Sequence, residues 1–148
     1  MADPEIVERQ RWMAVLARAN AAVLAELSAG LLPEYAVIRG PETGLVMLQG
    51  RAGGSGAAFN VGEASVVRCT VRSVAGHIGH AYCLGRELRH AELAAAIDAG
   101  LQDPARRARL QERVMTGLAA AQAAAGVLEA RRAAATQVQF FTMATMRS

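Results

Sequence analysis

The chain contains no lysine: all sixteen of its basic residues are arginine. A GC-rich coding bias accounts for this and for the abundance of alanine. Arginine also suits planar, two-pronged contact with carboxylate or phosphate. The excess of base over acid is small, +3 at neutral pH, too weak a field to imply nucleic-acid binding. Aromatic residues make up only 4% of the chain, which argues against a base-stacking platform. Two cysteines, Cys69 and Cys83, are too few for a disulfide framework. No long apolar run opens the chain, so neither a signal peptide nor a membrane span is expected, and a bacterial-type cytoplasmic location is. With 148 residues, a single domain over 1–148 can bury a real core without staples.

Several catalytic signatures are missing as well. The stretch Gly50-Arg51-Ala52-Gly53-Gly54-Ser55-Gly56 lacks the G-K-[ST] ending of a P-loop. A strand, not a helix, is expected after it, which excludes a dinucleotide fingerprint. There is no H-E-x-x-H, no cysteine cluster, and no G-x-S-x-G elbow around Ser55. His77 and His80 point to opposite faces of a strand, and His90 with Glu92 supplies at most part of a metal site. Neither cysteine has a predictable histidine partner. No catalytic and no metal-ligating residue is therefore assigned, and no cofactor of the chain's own is expected.

What is present reads as α+β. Asp3-Pro4-Glu5 pairs an N-cap with proline at the first helical position, and Ile6, Met13, Leu16 and Ala17 follow at helical spacing. Asn20 caps a second short helix carrying Val23, Leu24 and Leu27, ended by Gly30 and Pro33. Tyr35–Arg39 and Leu45–Gln49 are strand-like, with Gly40–Gly44 as the expected turn between them. Glu63–Ser73 and His77–Leu84 form an expected hairpin around a two-residue turn at Ala75-Gly76. That turn pairs Val71 with His80, Cys69 with Tyr82 and Val67 with Leu84. It gathers Val67, Cys69, Val71, Tyr82 and Leu84 on an apolar face and Arg68, Thr70 and Arg72 on the other, with the cysteines on opposite faces. Helices resume near Glu87 with a stripe of Leu88, Ala91, Ala95 and Ala99 and a stop at Gly100. Asp103-Pro104 opens a long helix whose apolar face runs Leu110, Val114, Leu118, Ala121, Ala125 and Leu128. The alanine tract within it suits close packing on a neighbouring helix or another chain. The expected fold is an antiparallel sheet of about four to five strands against N-terminal helices and a long C-terminal helical segment.

Three features suit an anion or a partner. Arg51 with Gly53 and Gly54 forms a loop whose backbone N–H groups can approach a phosphate. Arg68 and Arg72 share a basic sheet face that meets water or a partner. Phe140 and Phe141 sit in an apolar, strand-like hexamer, Val138–Met143, suited to a final core strand or to addition onto a partner's sheet. Two functions from different classes follow: an assembly subunit, or a small anion- or nucleotide-binding module using the glycine-rich loop and the arginine face.

An ordered set of residues along nearly the whole chain resembles the PhnG family. It comprises Arg9-Gln10, Trp12-Met13, Val15-Leu16-Ala17, Val37-Ile38-Arg39, Glu42-Thr43-Gly44-Leu45-Val46, Gln49, Arg51 and Gly53-Gly54. It continues through Gly56, Phe59, Gly62, Ala64, Arg68, Val71-Arg72, Gly76, Gly79, Gly85-Arg86, His90-Ala91-Glu92 and Phe140-Phe141-Thr142-Met143. The resemblance implies a small subunit of the bacterial carbon–phosphorus lyase core complex, acting in phosphonate use. It implies PhnI, PhnH, PhnJ and PhnL as partners, with neither nucleic acid nor membrane. It implies a shared reaction in which methylphosphonate displaces adenine from ATP to give α-D-ribose 1-methylphosphonate 5-triphosphate. ATP and methylphosphonate are then substrates of the assembled complex, and the lone chain is expected to be inactive.

Overall fold

The computed structural model describes residues 3–136. Two helices, α1 (Pro4–Ala17) and α2 (Ala21–Ser28), lead into three strands, β1 (Tyr35–Arg51), β2 (Ala58–Ser73) and β3 (Ile78–Leu84). Then follow α3 (Leu88–Gln102), α4 (Pro104–Leu110), a π-helical turn (Gln111–Met115) and α5 (Thr116–Ala135). The caps read from sequence are in place. Asp3 Oδ1 accepts from the Glu5 N–H at 3.0 Å, Asn20 Oδ1 from Ala22 at 2.9 Å, and Asp103 Oδ1 from Ala105 at 2.9 Å.

The described sheet has three antiparallel strands in the order β1-β2-β3, not the expected four to five. Within the described residues the shortfall has one cause; the hexamer Val138–Met143, expected as a final core strand or a partner's strand, lies outside them. Gly40–Gly44 does not turn the chain: Tyr35–Arg51 is a single strand, and the extra residues are absorbed as register shifts around Arg39 and Glu42. Gly40 allows this, because a Cβ there would lie 2.7 Å from the Arg68 carbonyl oxygen.

The β2–β3 register is one residue away from the expected one. Ser73 N–H donates to the His77 carbonyl at 2.9 Å, so the connection has three residues, Val74-Ala75-Gly76. Val71 therefore pairs with Gly79, Cys69 with Ala81 and Val67 with Cys83. The buried face becomes Val67, Cys69, Val71, Gly79, Ala81 and Cys83, while Tyr82 and Leu84 turn outward, 52% and 69% exposed. Both cysteines are buried, unbonded and on one face, a correction to the expected opposite placement.

Helix α3 lies across the buried face and touches all three strands as well as α1, α2 and α4. Every residue from Leu93 to Leu101 is buried, so this helix is enclosed on all sides instead of presenting a narrow stripe. Its alanines let it approach closely: a Cβ on Gly79 would overlap the Ala95 carbonyl oxygen and lie 2.7 Å from the Ala99 nitrogen. Gly100 is no stop; it sits inside α3, where a Cβ would meet Leu110 and Pro33, and the helix runs on to Gln102. Leu110, Val114 and Leu118 are buried as expected, but Ala121, Ala125 and Leu128 are exposed. Ile6 is also exposed, and Trp12 takes the core position on α1.

Candidate functional site

A buried carboxylate ties these layers together. Asp98 on α3 is fully buried and accepts four hydrogen bonds: from Arg9 Nε (3.2 Å) and Nη2 (2.8 Å), from Trp12 Nε1 (2.8 Å), and from the His80 backbone N–H (2.9 Å). The same Arg9 Nη2 and the Gln102 amide both donate to the Ile78 carbonyl, at 3.1 and 2.8 Å. These side chains occupy the outer edge of β3 and block strand addition there. Arg107 stacks over Trp12, 5.7 Å from the ring centre. Arg9 and Asp98 are far apart in sequence, and no local pattern announced their pairing.

The outer sheet face is polar over two adjacent rungs. One rung is Arg39–Thr70–His80, the other Glu42–Arg68–Tyr82, each spanning all three strands. Glu42 Oε1 accepts from Arg39 Nε at 2.9 Å and from Arg68 Nε at 2.7 Å. Those contacts hold the Glu42 carboxyl below its usual range, Arg39 first. Thr70 Oγ1 and His80 Nδ1 lie 3.2 Å apart. A cleft of about 200 Å³ opens over this patch, lined by Arg39, Arg68, Thr70, His80 and Tyr82, with Met13 of α1 beside it.

The structure separates the residues singled out from sequence. Arg68 and Arg72 do share an exposed face. Arg51, Gly53 and Gly54 lie instead at the tip of the β1–β2 hairpin, where Arg51 pairs with Ala58. From Ala58 to Arg68 the strand runs about 33 Å, so the glycine loop and the arginine face are not one site. Phe140 and Phe141 lie outside the described residues, as does the rest of Val138–Met143. Sequence reasoning missed Arg39, Glu42, His80 and Tyr82. Tyr82 was placed on the wrong face by the register slip, and Glu42 was assigned to a turn.

His90 is buried, with Nε2 2.8 Å from the Leu16 carbonyl oxygen. Tyr35 donates to Glu92 at 2.8 Å, and burial followed by that carboxylate raises its pKa. Burial pushes the Cys83 thiol up to about 11, and Cys69 is raised for the same leading reason. Among the described residues, no group of three His, Cys, Asp or Glu side chains is placed to hold a metal ion. No helix among them is long and apolar enough to cross a membrane.

Beyond the last β3 pair, β1 and β2 continue as an arm that is two-stranded among the described residues, Leu45–Arg51 against Ala58–Ser65. Leu45, Met47 and Val61 on it are 64%, 61% and 62% exposed, and Leu48 and Phe59 are exposed with them. β1 is also a free sheet edge among the described residues.

These features define a small α+β protein with a well-tied core, an arginine-bearing sheet face and an apolar arm that the described fold leaves uncovered. The family model for PhnG, described as phosphonate metabolism protein PhnG, matches residues 7–146, and the chain belongs to that family. A relative from Rhizobium meliloti (strain 1021), the alpha-D-ribose 1-methylphosphonate 5-triphosphate synthase subunit PhnG, is 44% identical over 146 residues. That match covers 95% of this chain and 91% of the relative.

Proposed function

We propose that this chain is a subunit of α-D-ribose 1-methylphosphonate 5-triphosphate synthase, within a carbon–phosphorus lyase core complex, and that it works by assembly and site shaping. The similarity to the Rhizobium meliloti subunit supports the enzyme, and one structural observation supports the mode of action: the apolar β1–β2 arm. A two-stranded ribbon is marginal in water by itself. Exposed apolar side chains gathered on it are the mark of an interface, and the β1 edge, free among the described residues, offers backbone groups for strand addition. Its partners in this proposal are PhnI, PhnH, PhnJ and PhnL-type subunits. The complex would join methylphosphonate to the ribose C1′ of ATP, releasing adenine. This chain would supply shape to that catalyst and not the reacting groups.

Co-expression tests the arm. The full-length chain should co-elute with PhnI- and PhnH-type subunits in size-exclusion chromatography. The double variant Met47→Asp, Val61→Asp should elute apart from them while keeping its circular dichroism and thermal midpoint. Equal co-elution of variant and parent would refute the role given to the arm.

A further inference from the structure

We propose that the paired rungs Arg39–Thr70–His80 and Glu42–Arg68–Tyr82 form a binding site for a tetrahedral, phosphate-type dianion. This stands on the sheet geometry alone and does not rest on the subunit proposal.

Three observations carry it. First, Glu42 engages Arg39 and Arg68 through their Nε atoms, both on the single oxygen Oε1. The terminal amino groups of both guanidinium ions have no acceptor among the described residues and are held side by side by the shared carboxylate. Second, the rungs add three further polar groups on the same face. Thr70 Oγ1 and His80 Nδ1 already lie 3.2 Å from each other, and neither His80 Nε2 nor the Tyr82 hydroxyl has a partner among the described residues. Third, Arg39, Arg68, Thr70, His80 and Tyr82 line one cleft of about 200 Å³, below the usual range of roughly 300–1,000 Å³ for drug-sized ligands. That size fits one anionic head group and not a whole nucleotide.

The donor set chooses among anions. A carboxylate presents two oxygens in a plane and is satisfied by one guanidinium fork. Two forks and three further polar side chains, spread over two rungs about 7 Å apart, suit a group with three or more oxygens and a double charge. Glu42 leaves the Arg39, Arg68 and Glu42 trio with an excess of one positive charge, and exposed Arg72 on the neighbouring rung adds another. The carboxylate keeps the two guanidinium ions from splaying apart without neutralising both.

The test is a titration of the purified full-length chain at low salt, following the imidazole proton signals. Inorganic phosphate, methylphosphonate and tripolyphosphate are separate arms and distinguish free phosphate, a phosphonate and a terminal phosphoryl group as the source. Saturable movement of the His80 ring signals is expected with at least one of them, with the buried His90 unmoved. Arg39→Ala and Arg68→Ala should each weaken that binding by about tenfold or more. Arg113→Ala, on the π-helical turn, should leave it unchanged. Three results would overturn the site: a static His80 signal in the parent chain, folded arginine variants that titrate like the parent, or acetate that binds as well as phosphate. The last would mark the patch as a surface for acidic side chains of a partner protein. The parent arm needs no substitution, so the outcome does not depend on any variant folding.

Discussion

Trp12 donates its indole N–H to Asp98 at 2.8 Å, and both residues are buried. This bond crosses from α1 to α3, and Arg9 completes the same link from one helical turn earlier. A carboxylate without these donors would be a buried, uncompensated charge.

Asp98→Ala is therefore expected to destabilise the fold by about 3–5 kcal/mol. It leaves the Arg9 guanidinium, the Trp12 indole and the His80 N–H without their shared acceptor. Trp12→Phe removes one donor only and should cost less than Asp98→Ala. Urea unfolding of the full-length chain reads both. A loss below about 1 kcal/mol for Asp98→Ala would show that the network is dispensable.

The second prediction concerns alkaline pH. In the fold the Cys83 thiol ionises near pH 11, against an ordinary value of 9.0. The folded state therefore holds this proton longer than the unfolded chain does. The thiol's contribution is intact below pH 9 and is lost as the pH climbs towards 11. Cys69 and Tyr35 are raised too and act in the same direction. The thermal midpoint should fall across that window, and Cys83→Ala should flatten the fall even though it lowers the midpoint at pH 7. At pH 8, iodoacetamide should label neither cysteine in the native chain and both in urea. Native labelling at the unfolded rate would contradict the buried, protonated thiols.

Local chemistry was legible in the sequence wherever one residue decides the outcome within a helical turn. Asp3, Asn20 and Asp103 each announced a helix start, because a side-chain oxygen two or three residues before a free N–H is a local event. Backbone irregularities were not legible. Gly40-Pro41 has the composition of a turn, yet the chain passes through it as a bulge because β2 continues alongside. Ala75-Gly76 reads as a two-residue turn, and the one added residue, Val74, moved Tyr82 and Leu84 to the outer face. The basic stripe Arg68–Thr70–Arg72 survived that slip because it depends on period two within β2 alone. Its neighbours did not, and so His80 and Tyr82 were absent from the sequence's candidate site. Arg9 and Asp98 meet only through the tertiary fold.

The most direct test of the central claim is adenine release from ATP in the presence of methylphosphonate, with and without the partner subunits. The purified chain alone should release none above background. Adding it to a preparation of the other subunits that lacks it should restore release. Robust adenine formation by the lone chain would contradict the account, as would full activity of the complex assembled without it.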